Sequence, residues 1–310
     1  MKIKSYIYLL LVSLLALSSC TPRVKVDNRM SEGSIGFVCD ESYANVLEQH
    51  VYVFTRTNPG AFIEVQRANE QDAIRALLDD SVRLIAASRR LTEGEKNKIL
   101  LENRHNCNET HIAVDAVAFV VNKSNADSVL TTDDIRRILT GQVTRWDEIS
   151  PDSKLGKIQV IFDNRQSSTV RYAVDSICAP DKLYNGVSAV ENSLQVVDEV
   201  NKRRNAIGVM GAAWLMSVDS ASVAVRSLVS PVRIKRDENS VAYGPFQAHI
   251  ASGKYPYYRS IYMINAESSN GLCTGFTIFV AGQRGQKIFE KSNVSPARIE
   301  ERVINLKDEF

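Results

Sequence analysis

The chain has 310 residues, enough for one large or two medium domains, and 44% of them are hydrophobic, ample for a core. Its 38 basic and 36 acidic residues nearly cancel to a formal charge of +2, so nothing marks a general nucleic-acid or membrane-adsorbing surface. The five cysteines lie far apart, without the paired rhythm of a zinc site, and no low-complexity tract or internal repeat interrupts the chain.

Lys2 and Lys4 precede a short apolar run, Tyr6 to Leu17. The run is too short to span a bilayer and suits a secretory signal over residues 1–19. It ends in Leu17-Ser18-Ser19-Cys20, which resembles the lipobox of bacterial lipoproteins. That resemblance implies cleavage before Cys20 and lipidation of its sulfur, with residues 20–33 as a polar tether. The alternative is an ordinary signal peptide with an incidental cysteine. In an exported chain Cys39, Cys107, Cys178 and Cys273 are either bridged or free, and their spacing does not decide.

Ser34–Cys39 reads as a strand running into Asp40-Glu41-Ser42 and a helix faced by Tyr43, Val46, Leu47, Val53 and Phe54. After the turn at Pro59-Gly60 come a strand (61–66), a helix (70–80) and an almost wholly apolar strand (82–87). The last runs into Ser88-Arg89-Arg90 and a capping box, Thr92 with Glu95. A long apolar strand, 111–121, carries one acidic interruption, Asp115. A helix over 131–139 stops at Gly141, and Trp146 falls in a polar loop. Strand 158–162 leads through a polar elbow into a helix marked by Val170, Ala173, Val174 and Ile177. A helix (194–204) and a strand (206–210) follow, then a mixed stretch read as hairpin and loop (217–239). The chain closes with a strand from Tyr255 to Ile264 and one helix from Thr274 to Phe289. Short strands alternating with helices predict an α/β fold with a largely parallel sheet.

Three strand ends carry hydroxyls or arginine: Ser42, Ser88 with Arg89, and Arg165 with Ser167, Ser168 and Thr169. In open α/β sheets, ligands bind beyond the carboxyl ends of strands, where helix starts leave N–H groups unpaired. Hydroxyls, such N–H groups and a guanidinium suit an oxyanion. Taken alone, the third elbow also fits a plain helix cap with Arg165 in solvent.

Several segments, in order, resemble the phosphate-binding protein family of bacterial ABC importers. Leu130 to Ile149 is similar to that family's L-T-x-x-x-L-x-x-I-F-x-G-x-I-x-x-W-x-x-I stretch. Arg165-Gln-Ser-Ser-Thr169 resembles its Arg-x-x-Ser-Gly-Thr loop, one residue shorter and with Ser168 in place of glycine. Asn205-Ala-Ile-Gly-Val209, Tyr255-Pro-Tyr-Tyr-Arg259 and the stretch from Gly275 to Gln286 resemble three further family segments. The resemblance implies a type II periplasmic-binding-protein fold, with two lobes joined by two crossover strands that act as a hinge. Lobe one would be 34–113 with 256–310, and lobe two 114–255. It implies a monomeric extracytoplasmic lipoprotein, periplasmic or at the outer-membrane face, touching the membrane through its anchor only. It would deliver inorganic phosphate or a similar oxyanion to an importer permease, with no nucleic-acid partner, cofactor or metal. Ser42 and Ser88 would line the cleft from lobe one, and Arg165, Ser167 and Thr169 would donate from lobe two.

Two departures stand out. The first loop is acidic, Asp40-Glu41, and the loop at Ser88 lacks the family's aspartate, a part that Asp40 or Asp163 would have to take. A sensory, scavenging or adhesive protein of the same fold with another ligand is the alternative. A serine hydrolase using Ser167 or Ser168 is disfavoured, because no Gly-x-Ser-x-Gly elbow occurs among only four histidines. Tyr255, Tyr257 and Tyr258 read as hinge and core packing.

Overall fold

The computed structural model describes residues 30–298, apart from 104–105, 218–222 and 225. The predicted signal segment, Cys20 and His105 lie outside the described residues.

The first half-sheet is built from β1 (Gly33–Asp40), β2 (Ala61–Ala68) and β3 (Leu84–Ala87). β1 pairs in parallel with both neighbours. Strand alternation sends its side chains to two separate cores. Phe37, Cys39, Leu84 and Ala86 meet α1 (Glu41–Thr57), α9 (Leu272–Ala281) and α10 (Gln283–Lys291). Val38, Ile85 and Ala87 meet Ile74 and Leu77 of α2 (Glu70–Leu78) and Ile99 of α3 (Glu93–Asn103). Both faces are therefore covered, which explains the uninterrupted apolar run of β3.

The second half-sheet contains β6 (Gln159–Phe162), β7 (Ser188–Ala189) and β8 (Ala206–Gly211), all in parallel pairings. Its core joins Val117 to Val121 with Ile135, Ile138 and Leu139 of α4 (Thr132–Thr140), and with Val196, Val197 and Val200 of α6 (Ser193–Lys202). Two strands tie the halves together. β4 (Asn108–Asn122) pairs antiparallel with β11 (Tyr258–Asn265) over its first part and with β8 over its second. β11 in turn lies antiparallel to β3. The strand order is β2-β1-β3-β11-β4-β8-β6-β7, so the chain crosses between lobes along two adjacent strands.

Several expectations change in detail. The helix after the third elbow is only five residues long, α5 (Ser168–Tyr172), and continues as a π-turn over Ala173–Cys178. The wider turn shifts the apolar face, leaving Val174 exposed. The single C-terminal helix is two helices, broken at Gly282. Trp146 is fully buried, its indole donating to the Asn205 carbonyl at 2.9 Å, so the loop around it is polar only outside. The stretch read as a hairpin gives β9 (Val229–Pro231) and β10 (Arg233–Lys235), which pair with β4 and with β5 (Val129–Thr131) rather than with each other. Cys39, Cys107, Cys178 and Cys273 are all free thiols. Tyr255 and Tyr257 are core residues, and the Tyr255 hydroxyl donates to the Val117 carbonyl at 2.9 Å.

Candidate binding cleft

The start of α1 is fixed by Asp40, whose carboxylate caps the helix. Oδ1 accepts from the Ser42 N–H at 2.9 Å and from the Ser42 hydroxyl at 2.6 Å. The start of α5, from the other lobe, is capped by Ser167. Its Ser168 N–H points at Asp40 Oδ2, 3.4 Å away, so one buried carboxylate lies between the beginnings of two helices on opposite lobes.

Arg259 of β11 completes the cluster. Its guanidinium donates to Ser168 Oγ at 2.7 Å, to Ser42 Oγ at 3.0 Å and to Asp115 Oδ2 at 2.8 and 3.1 Å. Burial disfavours its charge, but Asp115 and Asp40 outweigh that and hold it protonated, above the usual arginine range. Asp163, at the end of β6, accepts from Ser167 Oγ at 2.7 Å and from the Thr169 hydroxyl. Burial, with Asp40 nearby, pushes its carboxyl up to about 7 against these donors.

A second contact bridges the lobes beside this cluster. Arg171 of α5 donates to Glu70 of α2 at 2.5 Å and to Ser88 Oγ at 3.0 Å. Ser88 gives its N–H and hydroxyl to Glu70, each at 2.8 Å. Burial opposes the Glu70 charge, yet Arg171 and Ser88 hold its carboxyl below the ordinary value. Ser193 of α6 likewise reaches Glu41 across the cleft at 2.9 Å. A polar cavity of about 210 Å³ opens next to the cluster, lined by Asp40, Glu41, Arg67, Asp163, Ser167 and Glu191 among others.

Of the predicted site residues, Ser42, Ser167 and Thr169 come together here, and Ser88 sits in the adjoining bridge. Arg165 does not join them. It occupies the exposed tip of the elbow, where Asn164 Oδ1 accepts the Gln166 N–H and turns the chain outward. The buried guanidinium is Arg259, which the sequence reading left inside a hinge motif. Its signal was a lone arginine in one half-buried strand facing the lone acid, Asp115, of another.

The Ser167 hydroxyl is directed at a carboxylate, and the described histidines have their contacts elsewhere. His50 bonds the Val46 and Gly285 carbonyls and is pushed down to about 4 by burial. His111 and His249 contact Ala113 and Gly244. Among the described residues no group of His, Cys, Asp and Glu could hold a metal ion.

Two lobes, two shared strands and a polar cluster at the strand ends define a type II binding-protein fold. A family model described as "PBP superfamily domain" matches residues 30–284, and the chain belongs to that superfamily. Over 288 residues it is 23% identical to the phosphate-binding protein PstS of Pseudomonas aeruginosa, covering 88% of this chain and 86% of the relative. A stretch of 122 residues is 29% identical to phosphate-binding protein PstS 2 of Streptococcus agalactiae, spanning 39% of each chain. Among solved structures, a phosphate-bound protein from Clostridium perfringens superposes with a TM-score of 0.70 at 21% identity, covering 86% of this chain and all (100%) of its own. An ABC-type phosphate transport receptor from Vibrio cholerae gives 0.64 at 20% identity, over 85% of this chain and 100% of the receptor. At these identities the superpositions establish the fold.

Proposed function

We propose that the protein is an extracytoplasmic solute-binding protein that captures an oxyanion, inorganic phosphate first, and delivers it to the permease of an ABC importer. The observation that carries this reading is the buried Arg259 guanidinium, which meets hydroxyls from both lobes, Ser42 and Ser168, in one cleft. A planar fork of donors ringed by hydroxyls recognises oxygen-rich anions by charge-assisted hydrogen bonds. The relatives named as phosphate-binding proteins support the same ligand. Ser42, Ser167, Ser168, Thr169 and Arg259 are the residues assigned to the anion, with Ser88 setting the neighbouring wall.

Removal of residues 1–19 and lipidation of Cys20 would hold the protein at the envelope. Among the described residues no helix is long and apolar enough to cross a membrane. We assign 34–113 with 256–310 to lobe one and 114–255 to lobe two, the boundaries falling within or beside β4 and β11.

A second reading keeps the fold and changes the ligand. It is favoured by one observation: Asp40, Glu41, Asp163 and Glu191 all line the cavity, a poor lining for a dianion. Isothermal titration of the mature chain with phosphate, sulfate and arsenate separates the two. Saturable heat with phosphate supports the first reading, and no heat with any of the three supports the second.

A further inference from the structure

The cluster already contains more negative charge than positive. Asp40, Asp115, Asp163 and Arg259 are each at most 4% exposed, and together they carry three carboxyl groups against one guanidinium. The nearby cations do not redress the balance, since each is committed. Arg67 is paired with Glu48 at 2.6 Å, Arg171 with Glu70 at 2.5 Å and Arg259 with Asp115 at 2.8 Å.

The donors that an anion would need are also occupied from within. The Ser42 hydroxyl points at Asp40, and the Ser167 and Thr169 hydroxyls both point at Asp163. A dianion entering this cleft would face ionised carboxylates that hold its donors and repel its charge. Charge of one sign cannot accumulate in a buried site at such cost. The conflict is removed when one carboxyl is neutralised, because a protonated acid releases its donors and becomes a donor itself.

Resting on the oxyanion reading above, we propose that anion capture is proton-linked, one proton being taken up onto Asp163 for each anion bound. Asp163 is the better acceptor of the two carboxyls because its donors, the Asn164 N–H at 3.0 Å and the Ser167 and Thr169 hydroxyls, all fall on Oδ1, whereas Asp40 is engaged through both oxygens by the N–H groups of Ser42 and Ser168. The charged groups around Asp163 are Asp40 and Glu41 from β1 and α1, Arg67 from β2, Glu191 from the loop before α6, and Arg259 from β11. Burial, which pushes the Asp163 carboxyl up to about 7, favours its protonated form.

The test is calorimetric titration of the mature protein with inorganic phosphate at pH 8.5, in buffers of different ionisation enthalpy. At that pH the free ligand is nearly all dianion. The expected result is uptake of about one proton per phosphate, and affinity falling about tenfold per pH unit above 7 beyond the ligand's own titration. In Asp163→Asn the proton uptake disappears, whatever affinity the variant retains. Zero uptake by the wild-type protein, a readout that needs no variant, overturns the proposal. So does unchanged uptake in Asp163→Asn, which would place the proton on the phosphate. Absence of any phosphate binding overturns the oxyanion reading, and this proposal with it.

Discussion

Arg259 and Asp115 face each other directly across the two strands that join the lobes. They are register partners in the antiparallel pairing of β11 with β4, and their side chains are 2% and 1% exposed. Asp115 also accepts the Ala213 N–H at 2.7 Å, at the start of α7 (Ala212–Leu215). The hinge itself therefore presents the positive charge to the cleft, held in place by an acid one strand away. Removing one partner of such a buried pair leaves the other charge uncompensated. Asp115→Asn and Arg259→Met should each destabilise the protein by about 3–5 kcal/mol in chemical denaturation. The double variant should be clearly more stable than the sum of the two losses.

Arg165 should matter little. It is exposed at the elbow tip and makes no contribution to the buried cluster, and solvent and salt screen surface charges. Arg165→Ala should bind phosphate within about twofold of wild type by calorimetry.

The pH dependence of stability should show Asp163. Its carboxyl moves from an ordinary 3.8 to about 7 on folding, so the folded state holds the extra proton between those values. The sign follows: this contribution is fully present below about 3.8 and is lost as pH rises through 7. The melting temperature of the ligand-free protein should fall between about pH 4 and 7 and level off above, and Asp163→Asn should flatten the fall.

The Glu70–Arg171–Ser88 bridge should hold the lobes together. Arg171 is a partly exposed partner, so its loss would change lobe closure more than folding. Arg171→Ala should enlarge the radius of gyration measured by solution scattering and weaken phosphate about tenfold, the size of a typical population shift. Because the Glu70 carboxyl is held low, the bridge is present above its unfolded value of 4.5 and lost as pH falls through the folded one.

Gly211 should be intolerant of a side chain. A Cβ there would lie 2.7 Å from Ser42 Cβ and 2.9 Å from the Ser42 carbonyl oxygen, closer than real contacts allow. Gly211→Ala should displace Ser42 and lower both phosphate affinity and melting temperature.

Much of this architecture was legible in the sequence, for physical reasons. Local signals gave the caps: Thr131 and Asp134 form the capping box of α4, and Gly141 ends it in the left-handed region. The two-sided burial of β3 gave its continuous apolar run. What escaped depended on partners distant in sequence. Arg259 and Asp115 are 144 residues apart, and neither the acidic interruption of one strand nor the arginine closing a motif at the start of another names its partner. The elbow at Arg165 was read by its order in a motif, whereas its outward turn is set by Asn164. The break at Gly282 and the π-turn after Tyr172 leave the apolar periodicity almost intact, so spacing could not reveal them.

The central claim is that Arg259, presented by the hinge, captures an oxyanion with hydroxyls from both lobes. The most direct measurement is calorimetric titration of phosphate into the wild-type protein and into Arg259→Lys, which keeps the charge but loses the fork. Saturable one-to-one binding weakened at least about a hundredfold in the variant is the expected result, two lost charged hydrogen bonds of about 1.5–3 kcal/mol each being sufficient. Equal affinity in the two proteins, or no binding to either, would contradict it.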